Sequence, residues 1–201
     1  MLVFRKLLAH ETAVLKDHLL RLDDDARRLR FGHIVKPAVI LAYVDAIQWD
    51  QTWIVGAFEG NVLRGIAELR DCGTPDPSPN HPDSRKTGEL SVTVEPAHQN
   101  NGIGTRLLEE ALLIARNRGF TSLFLLCLPE NVKMQHVARK FADRLTFQDG
   151  DVEVRIVAPQ PDPLSVFAEF FGDAIALWET AMDRVSTKAT ENLPPKLPKA
   201  S

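Results

Sequence analysis

The stretch from Leu90 to Gly104 reads Leu-Ser-Val-Thr-Val-Glu-Pro-Ala-His-Gln-Asn-Asn-Gly-Ile-Gly and leaves the chain few choices of fold. Leu90, Val92 and Val94 alternate with Glu89, Ser91, Thr93 and Glu95, the period of a strand with two distinct faces. Pro96 has no N–H to give a ladder, so the strand stops there. A polar turn with two glycines follows, and then helical spacing begins. Ile103, Leu107, Ala111 and Ile114 or Ala115 form one apolar stripe, with Arg106 and Glu110 an i,i+4 pair on the wet side. Gly119 supplies the left-handed cap that ends the helix. The run Leu123-Phe124-Leu125-Leu126-Cys127-Leu128 reads as a strand buried on both faces. Strand, glycine turn, helix and strand make a β-α-β unit.

A helix N-terminus preceded by glycines is an anion site: free backbone N–H groups point outward, and the missing side chains let a phosphate approach. A lone Gly-x-Gly is a weak signal, since many turns contain one. Here the order is Gln99-x-x-Gly102-x-Gly104, directly after a strand ending in Val-Glu-Pro. A dinucleotide-binding fingerprint is the rival, but it needs a third glycine and an early place in the fold. Position 107 is Leu107, and some 90 residues precede the motif. The arrangement resembles the Gln/Arg-x-x-Gly-x-Gly/Ala pyrophosphate motif of the GNAT N-acetyltransferase family, over roughly residues 2 to 157 and most strongly from Glu89 to about Phe141.

The rest of the chain fits around this unit. Leu2 to Arg5 reads as a short first strand, and a helix from about Glu11 puts Leu15, Leu19 and Leu22 on one face, with Thr12 as cap. Asp23-Asp24-Asp25 then meets Arg27-Arg28-Leu29-Arg30-Phe31, a charge run that reads as a solvated helix with internal pairs. It is also similar to a Ser-x-Glu-Ser-x-x-x-Arg-Phe stretch of the bacterial branch of the family. Pro37 opens a helix with Ile40, Tyr43, Val44 and Ile47 as its stripe. By the resemblance, two helices between the first two strands wall the acceptor site. Thr52 to Phe58 and Leu63 to Leu69 read as a hairpin around Glu59-Gly60-Asn61. Asp71 to Lys86, carrying Pro75, Pro77, Pro79 and Pro82, reads as a long loop, either bordering the acceptor or a plain surface insertion. Asp149-Gly150 is a hairpin signal before a strand from Val152 to Val157. The resemblance therefore implies an α/β (α+β) fold with a mixed central sheet of about six to seven strands flanked by helices. The domain spans 1–158, an apolar helical extension 159–185, and a Pro- and Lys-rich tail, expected to be disordered, 186–201. Leu164, Phe167, Phe170, Phe171, Ile175, Leu177, Trp178 and Met182 are too apolar to leave in water, so the extension packs on its own domain or on a second subunit as a homodimer.

Composition narrows the function. A formal net charge of −3 gives no basic field for nucleic acid or an anionic membrane. Two cysteines, Cys72 and Cys127, make no disulfide framework, and the six histidines show no metal spacing. The N-terminal apolar stretch is too short for a signal peptide, so the expected location is cytoplasmic.

By the resemblance, acetyl-CoA is the cosubstrate, with no metal, and a primary amine of a protein lysine or small molecule is the acceptor. Backbone groups around Gln99, Asn100, Asn101, Gly102, Ile103 and Gly104, with the Thr105 hydroxyl, hold the pyrophosphate. The edges of Val92 and Val94 pair with the pantetheine amides, and the Val94 N–H faces the developing oxyanion. Asn131, in Asn-x-x-Met-x-x-Val-Ala-x-Lys, bonds the pantetheine arm or caps a helix. Glu89 is the candidate general base, with Glu68 in reserve; the alternative for Glu89 is a strand-end residue paired with Lys86 or Arg85. One departure stands out. Many members carry a tyrosine seven residues after that asparagine, where this chain has Ala138, and its one tyrosine, Tyr43, lies far off in sequence. A CoA-binding regulatory or assembly module without turnover is thus the competing reading.

Overall fold

The computed structural model describes residues 2–73, 86–142, 144–148, 151–157 and 162–191. A seven-stranded sheet runs in the order β1-β2-β3-β4-β5-β7-β6. Its strands are β1 (Leu2–Lys6), β2 (Thr52–Glu59), β3 (Val62–Asp71), β4 (Thr87–Val94), β5 (Ser122–Cys127), β6 (Arg144–Gln148) and β7 (Asp151–Val157). The helices are α1 (Thr12–Arg21), α2 (Asp24–Phe31), α3 (Pro37–Asp45), α4 (Ile103–Asn117), α5 (Val132–Ala138) and α6 (Pro163–Glu191). All neighbouring strands are antiparallel except β4 and β5.

The strand period divides the core in two. Val55, Ala57, Ala67, Leu69 and Leu90 point to one face, where the stripe Ile103, Leu107, Ala111, Ile114 and Ala115 of α4 closes over them. Ile54, Phe58 and Ile66 point to the other, against Leu15 and Leu19 of α1 and Ile40 and Val44 of α3. Gly119 ends the α4 segment at φ 71°, as a left-handed terminus requires.

Several expectations need correction. Three helices, not two, lie between β1 and β2, because the charge run 23–31 is a packed helix. Asp23 caps it by accepting from the Ala26 N–H at 2.7 Å. One internal pair forms as expected, Arg27 with Asp24 at 3.7 Å, but the arginines also reach other elements: Arg27 donates to the Leu20 carbonyl, Arg28 to Glu130, and Arg30 to Glu68. Thr12 does not cap α1; its hydroxyl donates back to the Ala9 carbonyl at 2.7 Å, within a short 3₁₀ turn over Ala9–Glu11. Strand β5 is buried on one face only. Leu123, Leu125 and Cys127 are in the core, but Leu126 is 50 % exposed, because α1 to α3 pack over the β1–β3 half of the sheet and stop short of β5. The extension is one helix passing straight through Gly172 and continuing to Glu191, six residues into the segment expected to lack structure. No proline interrupts that segment before Pro194. The proline-rich part of the loop at 74–85, the Asp149-Gly150 turn and the tail from 192 lie outside the described residues. No helix among the described residues is long and apolar enough to cross a membrane.

Candidate active site

The site forms where two parallel strands part. β4 and β5 pair only from Thr87 to Leu90 against Ser122 to Leu125. Beyond Leu90, β4 keeps its β3 partner alone, with Val94 opposite Gly65. The Glu95 N–H donates to the Arg64 carbonyl, so by the alternation of an antiparallel ladder the N–H groups of Glu95, Thr93 and Ser91 face β3. Those of Val92 and Val94 therefore face the gap that β5 has left.

That gap opens into a cleft of about 810 Å³. Its walls are Ala26, Leu29 and Arg30 of α2, Val92, Thr93 and Val94 of β4, the turn into α4, and Glu130 to Met134, His136, Val137 and Lys140 around α5. Of the residues expected to bind the cosubstrate, Val92, Val94, Gln99, Asn100, Gly102, Ile103, Gly104, Thr105 and Asn131 all border it; Asn101 does not. The ladder of α4 begins with Arg106 N–H donating to the Gly102 carbonyl. The N–H groups of Ile103, Gly104 and Thr105 precede it and are the outward donors of the helix. Gly102 caps the helix at φ 77°, and Asn100 sits at φ 63°, a left-handed pair of positions that shapes the turn. At Gly104 an added Cβ meets Val92, Val94 and Val137 at 3.9–4.0 Å, ordinary contact, so a larger side chain there fills the cleft and not the core.

Side chains brace the turn. Gln99 donates from Nε2 to the Val94 carbonyl at 3.0 Å and accepts from Lys133 Nζ at 2.7 Å, strapping the turn between β4 and α5. Lys140 donates to the Thr105 hydroxyl at 3.2 Å. Asn131 caps α5, its Oδ1 accepting from the Met134 N–H at 3.1 Å. Glu95, where β4 ends, accepts from Arg21 Nε at 2.9 Å and Arg64 Nη1 at 3.1 Å. Burial raises the Glu95 pKa, but those hydrogen bonds outweigh burial and hold it below the usual carboxylate range. His18 is fully buried beside it, with Nδ1 against the Leu63 carbonyl and Glu95. Burial lowers its pKa to about 4, with Glu95 opposing, so the ring is neutral and donates from Nδ1.

The acidic candidates lie on the face of the sheet that α2 and α3 approach. Glu68 is buried, and its Oε2 accepts from Arg30 Nη2 at 2.8 Å and from the Tyr43 hydroxyl at 2.5 Å. Burial raises the pKa of Tyr43, with Glu68 adding to the effect and Arg30 opposing it, so Tyr43 stays a protonated donor. Tyr43, distant in sequence, is thus a direct neighbour of Glu68, although neither borders the cleft at the turn. Glu89 is partly exposed and pairs with Arg70 at 2.5 Å; of its two expected partners, Arg85 lies outside the described residues. Arg70 stands opposite Glu89 in the β3–β4 register, a long-range pairing that sequence proximity conceals. Lys86 turns instead to Asp71, at 3.1 Å. Ala138 is wholly buried in the core and does not border the cleft.

Sequence reasoning missed four features. Lys133 and Lys140, seven apart and both on the cleft, carry a signal in their helical spacing. Thr93 is buried, lines the cleft and has a hydroxyl without a hydrogen-bond partner. The Arg30–Glu68–Tyr43 cluster and the Glu95 network join distant segments and carry no local signal. Among the described residues no group of His, Cys, Asp and Glu gathers as a metal site.

Fold and cleft together define a class: an α/β protein with an anion-receptive strand–turn–helix junction at a split in its sheet. The sequence pattern of the Acetyltransferase (GNAT) family matches residues 18–142, and the chain belongs to that family. Solved structures agree on the fold. The GNAT domain of S. lividans PAT is 21% identical, with 77% of this chain and 89% of that one covered at a TM-score of 0.63. A putative acetyltransferase from Salmonella typhimurium, solved with its cofactor acetyl-CoA, is 20% identical over 81% of this chain and 99% of that one, at a TM-score of 0.58. The PaiA N-acetyltransferase from Thermoplasma acidophilum, in complex with coenzyme A, is 17% identical, covering 78% and 99%, at a TM-score of 0.56.

Proposed function

We propose that this protein is an N-acyltransferase working in the cytoplasm, moving an acetyl group from acetyl-CoA to a primary amine of a protein lysine or a small molecule. The observation that carries the reading is the junction itself: helix-start N–H groups, a glycine-shaped turn and two outward-turned strand N–H groups on one cleft. The buried, unpartnered Thr93 hydroxyl on that cleft fits a polar ligand and has no packing purpose that valine would not serve better.

Acetyl-CoA supplies an acyl carbon activated as a thioester. The N–H groups of Ile103, Gly104 and Thr105 hold its pyrophosphate, with Lys133 and Lys140 adding positive charge. The open edge of β4 at Val92 and Val94 pairs with the pantetheine amides as an added strand does. The Val94 N–H, aimed at the gap, stabilises the oxyanion; one such donor commonly lowers a barrier by about 3–4 kcal/mol. Glu89 takes the amine proton, through water along the face it shares with Ser91 and Thr93, once Arg70 yields the carboxylate. Glu68 is less available, since two donors already occupy one of its oxygens, and its role is to position Arg30 and Tyr43 beside the acceptor path. With Ala138 in the core, that position supplies no acid, and the leaving thiolate takes its proton from water.

Calorimetry with acetyl-CoA, joined to thiol release across an amine panel that includes lysine peptides, tests this. Tight binding with turnover on some amine supports the transferase. Tight binding without turnover supports a CoA-responsive module, the reading that the buried Ala138 and the Arg70–Glu89 pair favour. No binding overturns both.

A further inference from the structure

Helix α6 is amphipathic the wrong way round for a solvated surface helix. The side that meets the domain is polar. Lys6 of β1 pairs with Glu169 and Asp173, Arg118 pairs with Glu169 at 2.7 Å, and Asn117 donates to the Ser165 carbonyl and to Glu169. Ser165 and Ala176 are buried there. The opposite side carries the bulk: Leu164 is 79 % exposed, Phe167 58 %, Ile175 57 % and Trp178 68 %. Phe171 lies between them, its ring stacked on Phe167 with centroids 4.0 Å apart. At 100° per residue these five positions span an arc of about 80°, facing away from Ser165, Glu169, Asp173 and Ala176.

We infer that this outer face is the interface of a homodimer in which two α6 helices pack antiparallel about a two-fold axis at Phe171. Spacing argues for a second copy. The positions 164, 167, 171, 175 and 178 are symmetric about 171, so reversing the helix superposes the stripe on itself. Leu164 then meets the second copy's Trp178, and Phe167 meets its Ile175, a bulky ring against an aliphatic side chain at each contact. An isologous interface requires that self-complementarity. Area argues the same way. Leu164, Phe167, Ile175 and Trp178 alone expose roughly 600 Å² of side chain, close to the ~800 Å² each partner commits in a stable complex. Charge argues against a lipid surface. Glu169 and Asp173 are already paired by Lys6 and Arg118 of the domain, and the rest of the helix carries Glu179, Asp183 and Glu191 against Arg184 and Lys188, with no basic excess to draw it to anionic headgroups.

The test is sedimentation velocity of the full chain over a range of concentrations, with Trp178→Glu and Ile175→Lys variants checked by circular dichroism. The expected result is a species of twice the monomer mass, with each variant raising the dimer dissociation constant about 30-fold or more. A wild-type chain that stays monomeric overturns the inference, as does a dimer that both variants leave intact. The axis is tested by oxidation in a Cys72→Ser background, which removes the exposed native thiol. Phe171→Cys should cross-link to its own copy and Leu164→Cys should not; the reverse overturns the antiparallel arrangement. Co-sedimentation of the wild-type chain with phosphatidylcholine vesicles would show that lipid covers the face, and overturns it too.

Discussion

Single residues divide into those whose role is steric and those whose role is charge. Gly104 is steric: its surroundings accept a Cβ but a longer chain enters the cleft. Gly104→Glu should therefore stay folded by circular dichroism while acetyl-CoA affinity in calorimetry falls about 100-fold or more, roughly 3 kcal/mol. Gly104→Ala should bind nearly as the parent does. Glu89 and Glu68 should part company when each becomes glutamine. Glu89→Gln should lower kcat about 100-fold with little change in thermal midpoint, as loss of a general base does. Glu68→Gln strips the buried Arg30 of its counter-charge and should cost about 3 kcal/mol or more of stability, read as a lower midpoint in urea. His18 sets a pH dependence. Its folded pKa is about 4, against an unfolded value near 6.5, so the unfolded chain binds the extra proton between them. Stability is unaffected by His18 above pH 6.5 and falls as pH drops from 6.5 towards 4, by about 3 kcal/mol in all. Urea midpoints at pH 7, 6 and 5 should show the decline, and His18→Gln should flatten it. Glu95 acts lower down: its carboxylate stabilises the fold above its unfolded pKa near 4.5 and loses that contribution only in stronger acid.

At the scale of elements, legibility followed periodicity. The β4–turn–α4 unit could be read because strand alternation, Pro96, two glycines and a helical stripe all agree within thirty residues. The turn side of the candidate cleft came with it, since backbone N–H groups at a helix start need only the turn to be correct. The acidic half did not, because register places Arg70 against Glu89 and tertiary packing places Tyr43 and Arg30 on Glu68. Strand β5 misled because an apolar run shows what can be buried and not whether a helix covers each face. The charged run at 23–31 misled similarly: arginines fit a solvated helix equally well until partners 38 and 102 residues away are known. Among the contacts that hold helix α6 to the domain, Glu169 is the most shared, accepting from Lys6, Asn117 and Arg118, with Asp173 pairing Lys6 as well. Glu169→Gln should free α6 at a cost of about 1–3 kcal/mol, seen as faster amide exchange in that helix while α4 stays protected.

The whole molecule couples its two halves through the split in the sheet. A ligand seated at the turn touches α2, β4, α4 and α5 together, so binding should stabilise the fold as a unit. Acetyl-CoA at 100 times its dissociation constant should add about 2.7 kcal/mol, a rise of roughly 5–10 °C in thermal midpoint for a chain of this size. Gly104→Glu should show no such rise in the same melting experiment. The order β5-β7-β6, with the last strand inserted between its predecessors, could not be read from periodicity, since either strand could have paired with β5. What the sequence determined by itself was local: the strand, the turn, the helix stripe and the anion-receptive junction, all fixed by contacts within a few residues. Only the tertiary structure decided which carboxylate is buried under Arg30 and Tyr43, which is held by Arg70, that Ala138 lies in the core, and that α6 turns its aromatic side outward. Those outcomes depend on partners tens of residues apart, and a one-residue change in register or a turn of a helix would reverse them while leaving every local pattern intact.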